Sequence, residues 1–104
     1  MSPSKKKKSK AKKKIIIHAM RQFVADANPD ALFLDPPSTY DFAIIGRTYG
    51  PNPVAVYDYQ LLVYQLTTED GITEDEAIDH IEYNIIGSVG GENYPIITSH
   101  DYVQ

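Results

Sequence analysis

The sequence predicts a small α+β domain: an antiparallel sheet of about three strands with helices on one face, in the order α-β-β-α-α-β. Three observations predict this class. Helical periodicity recurs in three segments. A turn-rich segment, Tyr49–Pro53, separates two short segments of strand-forming residues. The segment Gly71–Thr98 has the pattern of a capped amphipathic helix, a glycine-rich turn and a closing strand.

The first helix is predicted over Ile15–Ala27, and it ends at Asn28 and Pro29. A one-sided apolar face supports it, formed by Ile16, Met20, Phe23, Val24 and Ala27. The second begins at Asp58 and stops at Gly71, where a glycine suits a left-handed residue after a helix. Its predicted buried stripe is Tyr59, Leu62, Val63 and Leu66.

The third helix has the clearest start in the chain. Thr73 followed by Glu76 is a capping box, in which each side chain bonds the backbone of the other residue. Its predicted core stripe is Ile78, Ile81 and Ile85.

Strands are predicted at Tyr40–Gly46, Val54–Tyr57 and Pro95–Thr98. In the first, Phe42 and Ile44 share a face because side chains alternate along a strand. A sheet this small leaves a face or an edge uncovered, so a homodimer is one expected state.

Charge divides the 104-residue chain into two parts. The first fourteen residues carry eight lysines and no acid, a formal charge of +8. Residues 15–104 carry two arginines against fourteen acids, a formal charge of −12. We therefore expect a disordered basic tail over residues 1–14 and a single acidic domain over residues 15–104.

Several classes of protein are not expected. Without cysteine there is no disulfide or thiolate metal site. No apolar run reaches the roughly 20 residues of a membrane span, and no secretory signal pattern is present. A cytoplasmic location is the expectation, or a nuclear one in a eukaryotic host.

The tail is a candidate nucleic-acid-binding segment, because lysines release counterions from phosphates. A solubilising arm is the alternative, since a lysine run reads no sequence and lacks aromatic residues for base stacking. The residues are Lys5, Lys6, Lys7, Lys8, Lys10, Lys12, Lys13 and Lys14.

Acidic residues crowd the third helix, and two interpretations stay open. The face could mimic a phosphate backbone and bind a basic groove on another protein. Alternatively, acids simply favour a helix start and a solvated face, which is the favoured interpretation. A third possibility is that the lysine tail folds onto the acidic domain. The candidate protein-binding residues are Glu74, Asp75, Asp79, Glu82 and Tyr83.

No metal, cofactor or catalytic machinery is expected. His18, His80 and His100 lie in three separate segments without metal-binding spacing. Asp58 and Glu82 are the one candidate carboxylate pair for a small enzyme, and a capping role for Asp58 is the simpler interpretation.

Three motifs resemble a family of small uncharacterised proteins of bacteria and their phages. The first is the Tyr-Asp pair in Val56–Tyr59. The second is an Asp-Gly turn followed by the segment Thr73–Asn84, which contains Glu-x-Asn. The third is Gly-Glu-x-x-Pro in Gly87–Pro95. The matched positions are Tyr57, Asp58, Asp70, Gly71, Glu82, Asn84, Gly91, Glu92 and Pro95. Tyr94 and Val89-Gly90 depart from that pattern. The resemblance spans roughly 40–98 and implies fold boundaries but no activity; a phage- or virus-related protein is one expectation that it allows.

The expected function is therefore a non-enzymatic interaction protein that binds another protein through an acidic, tyrosine-rich surface. The first alternative is an accessory nucleic-acid binder that acts through the tail. A carboxylate enzyme is the second alternative.

Overall fold

The computed structural model of the chain describes residues 19–85 and 90–99. In that part of the chain, four α-helical segments and a three-stranded sheet confirm the α+β class. The elements are α1 (helical over 19–27), α2 (Pro37–Tyr40), a 3-10 turn (Asp41–Ala43), β1 (Ile44–Arg47), β2 (Ala55–Asp58), α3 (Tyr59–Glu69), α4 (Glu74–His80), a π-helical turn (Ile81–Ile85) and β3 (Ile96–Thr98). Their order matches the predicted one apart from the additional short helix α2.

The sheet is mixed, with strand order β1-β2-β3. β1 pairs antiparallel with β2 through the long predicted hairpin loop, and the register shifts between Ile44 and Gly46. β3 runs parallel to β2, with Val56 opposite Ile96. The prediction of a wholly antiparallel sheet was therefore wrong for β3. Since α3 and α4 carry the chain back across the sheet, the next strand enters it in the same direction.

The first predicted strand begins four residues later than expected. Residues Tyr40–Ala43 are helical instead: Tyr40 ends α2, whose first turn accommodates Pro37, and Asp41–Ala43 form the 3-10 turn. Burial also holds this segment, since Tyr40 and Asp41 both lie in the interior. Phe42 and Ile44, predicted to share a strand face, differ in burial: Phe42 is 42% exposed and Ile44 is buried.

The core is formed by the predicted stripes of α1, α3 and α4 against β1 and β2. Val24, Leu62 and Ile81 are fully buried, and Leu66 and Ile85 nearly so. Phe23, by contrast, is exposed, and its ring lies 3.9 Å from the guanidinium carbon of Arg47. Tyr59, Val63 and Ile78, which were also predicted in buried stripes, are only partly buried.

Two polar clusters fix the loops. Arg21 in α1 binds the buried carboxylate of Asp41 through Nε at 2.7 Å and Nη2 at 3.1 Å. Asn28, also buried, donates to the carbonyl of Pro53 at 2.9 Å and to Oδ1 of Asn93 at 3.1 Å. The Gly91–Tyr94 turn is thus held by amides from distant loops.

Candidate functional site

The acidic start of α4 is set by local chemistry. Thr73 caps the helix by accepting from the Glu76 N–H at 3.1 Å, and the Glu76 carboxylate accepts from the Thr73 N–H at 2.9 Å. These hydrogen bonds lower the pKa of Glu76 below its usual value. Glu74 and Asp75 complete the acidic first turn, where the positive end of the helix dipole favours carboxylates. The predicted capping box is confirmed.

α4 turns one side towards α3, and a groove lies between the two helices. Glu74 and Ile78, which are four residues apart and share a helix face, line one wall. The volume of the groove is about 430 Å³. Its lining residues define the α3–α4 groove: Tyr59, Gln60, Val63, Tyr64, Thr67, Glu74 and Ile78.

The groove combines an apolar floor with negative charge. Val63 and Ile78 are only partly buried there, and 57% of Tyr64 is exposed. Partial burial raises the pKa of Tyr59, and the charges of Glu82 and Glu74 raise it further. Glu74 in α4 and Glu82 in the π-helical turn therefore both act on the same phenol. A cationic or hydrogen-bond-donating group entering the groove would be favoured there.

The five residues predicted to bind protein divide into two groups. Glu74 lines the groove, and Glu82 lies close enough to affect the Tyr59 phenol. Asp75 and Asp79, four residues apart, are exposed on α4, and Tyr83 is 85% exposed on the π-helical turn. Turns of this kind are frequent at functional sites.

Sequence reasoning missed the apolar half of the groove. Tyr59, Val63 and Ile78 were assigned to the core, and Tyr64 was not among the five residues predicted to bind protein. A signal was present: α3 carries Tyr59, Val63 and Tyr64 beside its buried Leu62 and Leu66, an apolar face wider than one core contact requires.

The other candidate residues do not assemble into a catalytic or metal centre within the described chain. Asp58 occupies the position before α3, but its side chain makes no capping bond there. It is buried, Glu82 is exposed, and the pair lines neither the α3–α4 groove nor the larger cleft described below. Among the described residues, no three His, Asp or Glu side chains are grouped for metal binding. His18, His100 and the eight tail lysines lie outside the described residues.

No helix within 19–85 or 90–99 has the length and apolar character to cross a bilayer. Comparison of the chain with protein-family models, curated proteins and solved structures gives no match. The resemblance to small phage and bacterial proteins therefore stays a prediction.

Proposed function

We propose that this protein is an interaction module that binds a basic, amphipathic segment of another protein in the α3–α4 groove. The observation that carries the proposal is the coincidence of partly exposed apolar side chains and carboxylates in one groove between two helices. Binding of an amphipathic helix in a groove of this kind is a recurring mode of peptide recognition.

The apolar floor supplies the anchoring contacts. Tyr64 and Val63 on α3 face Ile78 on α4. Tyrosine is enriched at protein interfaces because it offers a large apolar ring with little rotamer entropy to lose. A partner leucine or phenylalanine buried against these side chains would gain about 1.5–3 kcal/mol.

Charge selects the partner's composition. Glu74 lines the groove, Glu82 lies near enough for its charge to act on Tyr59, and Asp75 and Asp79 extend the negative surface along α4. The two arginines of the chain lie elsewhere: Arg21 is paired with Asp41, and Arg47 contacts Phe23. A lysine- or arginine-rich segment would thus be attracted, and an acidic segment or a phosphate backbone repelled.

The dimensions indicate a short helix as the partner. α3 has eleven residues and is therefore about 16 Å long. A partner helix of roughly 12–14 residues would cover it, with apolar anchors at positions i, i+4 and i+7 and basic residues on both flanks.

Calorimetric titration of the full chain tests the proposal with three peptides of about 14 residues. One is amphipathic and built from leucine and lysine, one has the same composition in scrambled order, and one replaces lysine by glutamate. We expect tight binding only for the first, weakened by salt. Equal binding of the scrambled peptide would contradict recognition by the groove.

Two charge-neutralised variants test the site: one removes two carboxylates near the groove, and the matched control removes two elsewhere. The Glu74→Gln/Glu82→Gln variant should bind the amphipathic peptide about three- to tenfold more weakly, since exposed charge pairs contribute 0.2–1 kcal/mol each. The Asp30→Asn/Glu92→Gln variant removes the same charge from exposed positions outside the groove and should bind like the parent chain. Equal affinity of the two variants would argue against the proposed site.

The lysine tail is a competing occupant and can be tested in the same assay. A full chain with all eight tail lysines replaced by glutamine should bind the peptide more tightly if the tail occupies the groove. The same variant tests the nucleic-acid alternative: DNA binding that has a steep salt dependence and disappears with the lysines would make the tail the main binding element.

A further inference from the structure

A second cleft lies on the other side of α4, between α2 and the segments around Leu32–Pro36 and Tyr94–Pro95. Its volume is about 580 Å³, within the range of small-molecule sites. The wall is apolar, formed by Leu32, Phe33, Leu34, Pro36, Ile85 and Pro95. Asp35, Tyr40, His80, Asn84 and Tyr94 are the other lining residues, and they carry its polar groups.

Three of these side chains form a hydrogen-bonded chain across the cleft. Nδ2 of Asn84 lies 3.2 Å from Nδ1 of His80, and Nε2 of His80 lies 3.1 Å from the hydroxyl oxygen of Tyr40. With the Asn84 amide placed this way, its nitrogen donates to Nδ1, and the imidazole tautomer that fits both contacts carries its proton on Nε2 and donates to Tyr40.

This arrangement determines what Tyr40 can offer a ligand. Its oxygen accepts from His80, and its own O–H is not used in that bond. Within residues 19–85 and 90–99, the bond to His80 is the one hydrogen bond of this hydroxyl. Burial, followed by the charge of Asp70, raises the pKa of Tyr40, so the phenol keeps its proton. Tyr40 is therefore a fixed hydrogen-bond donor against an apolar wall.

The charge of the cleft limits the ligand further. Asp35 supplies an exposed carboxylate, and among the described residues neither lysine nor arginine lines the cleft. An anionic ligand would meet a negative group without a compensating cation. A neutral ligand that has a hydrogen-bond acceptor for the Tyr40 hydroxyl and an N–H donor for the Asp35 carboxylate would pair with both groups.

We propose that this cleft binds a small, uncharged, ring-containing carboxamide or lactam, with its carbonyl oxygen on the Tyr40 hydroxyl and its ring against the Phe33, Leu34 and Ile85 side. His80 and Asn84 act as positioning residues, because they orient the phenol without needing to contact the ligand. This site is separate from the α3–α4 groove, and the two proposals stand or fall independently.

Benzamide and benzoate are suitable probes, because they share a shape and differ in charge. Titrated into the isotope-labelled full chain, benzamide should shift backbone amides in 32–35, 40, 80–85 and 94, with weak affinity appropriate to so small a ligand. Benzoate should bind at least tenfold more weakly. Equal shifts from both probes, or benzamide shifts centred on the α3–α4 groove, would overturn the proposal.

Tyr40→Phe removes the donor and keeps the ring. Benzamide should bind this variant roughly five- to tenfold more weakly, while Tyr49→Phe, the same change at a fully exposed position, should bind like the parent chain. The amide spectrum of each variant without probe reports whether the fold is retained. A folded Tyr40→Phe variant with unchanged affinity would contradict the role of the hydroxyl.

The nitrogen chemical shifts of the His80 ring provide a further readout, because they report which ring nitrogen carries the proton. A protonated Nδ1 in the free protein would also refute the proposed geometry.

Discussion

At the scale of single residues, Tyr57 connects β2 to the loop before α2. Its side chain is fully buried in β2, and its hydroxyl oxygen accepts from the Leu34 N–H at 3.0 Å. Burial raises the pKa of Tyr57 to about 12, against the lowering effect of the Leu34 bond, and Asp41 adds to the rise. The loop before α2 thus depends on a phenol that stays protonated.

This shift predicts an alkaline loss of stability. The pKa of Tyr57 in the folded state lies above its unfolded value of about 10. At a pH between these two pKa values, the folded state therefore holds a proton that the unfolded state has lost. The contribution is fully present below pH 10 and is lost as the pH rises to about 12. At about 1.4 kcal/mol per pKa unit, this shift corresponds to roughly 2–3 kcal/mol of the free energy of unfolding.

Urea unfolding across pH 8–12 measures this effect. Tyr57→Phe should lose about 1 kcal/mol at neutral pH, because the Leu34 N–H loses its acceptor, and its stability should decline less above pH 10. Tyr49→Phe, at an exposed position, should follow the parent chain. Identical alkaline slopes for all three proteins would refute the assignment to Tyr57.

The Arg21–Asp41 pair is the second residue-scale determinant. Asp41 is 1% exposed, and its two oxygens are bound by one guanidinium, whose pKa this hydrogen bonding raises. Arg21→Met would leave a buried carboxylate without its cation. We expect a loss of about 2–4 kcal/mol, reduced from the fully buried case because Arg21 is partly exposed.

Thermal and urea unfolding of matched variants check this. Arg47→Met removes the other arginine, which contacts Phe23 at the surface, and should cost about 1 kcal/mol or less. The double variant Arg21→Met/Asp41→Leu should recover much of the loss, since no buried charge remains. If Arg21→Met cost no more than Arg47→Met, the pair would not hold α1 in place.

At the scale of elements, the short helix α4 depends on its cap. It has seven helical residues, too few to be stable alone, so its first turn needs the Thr73 hydroxyl and core contacts through Ala77 and Ile81. Thr73→Ala should cost about 1 kcal/mol in the free energy of unfolding.

The control for this prediction is Thr68→Ala. The Thr68 hydroxyl bonds within α3, to the Tyr64 carbonyl at 2.8 Å, and alanine is the better helix former, so the change should be within about 0.5 kcal/mol of neutral. Equal effects of the two substitutions in urea unfolding would show that the cap does not limit the stability of α4.

Elements with local signals were predictable from the sequence. The capping box at Thr73 and the stop at Gly71, whose φ is 67°, follow from rules that involve neighbouring residues only. The helical conformation of Tyr40–Ala43 and the direction of β3 were not predictable in this way. Tyr40 bonds His80, forty residues away, and Asp41 bonds Arg21, twenty residues away, so contacts between distant segments hold this part of the chain.

The candidate site could be predicted only in part, because it too depends on contacts between separate segments of the chain. Its carboxylates stand out as a cluster in the sequence, but the groove they border exists because α3 and α4 pack side by side. The apolar face of α3 is wider than one core contact requires, but no local pattern shows that Val63 and Ile78 lie at the edge of a groove rather than in the core. The groove therefore depends on the angle and spacing of two helices, which no local pattern specifies.

At the scale of the whole molecule, the negative surface charge and the apolar groove have complementary roles in the proposed binding. Among the described acids only Asp41 and Asp58 are buried, so the rest contribute to a negative surface around the sheet and helices. Such a surface would steer a basic partner of the kind we propose towards the domain and raise its association rate at low salt. The groove supplies the apolar contacts that a charged surface alone cannot, which is why we place specificity there.

The most direct test of this account is to map where the amphipathic leucine–lysine peptide binds. With the isotope-labelled full chain, the account predicts that the largest backbone amide shifts fall within 59–67 and at 74, 78 and 82. The scrambled peptide should produce small, dispersed shifts that vanish at moderate salt. Shifts centred outside α3 and α4, or the same map for both peptides, would contradict the central claim that the α3–α4 groove is the binding site.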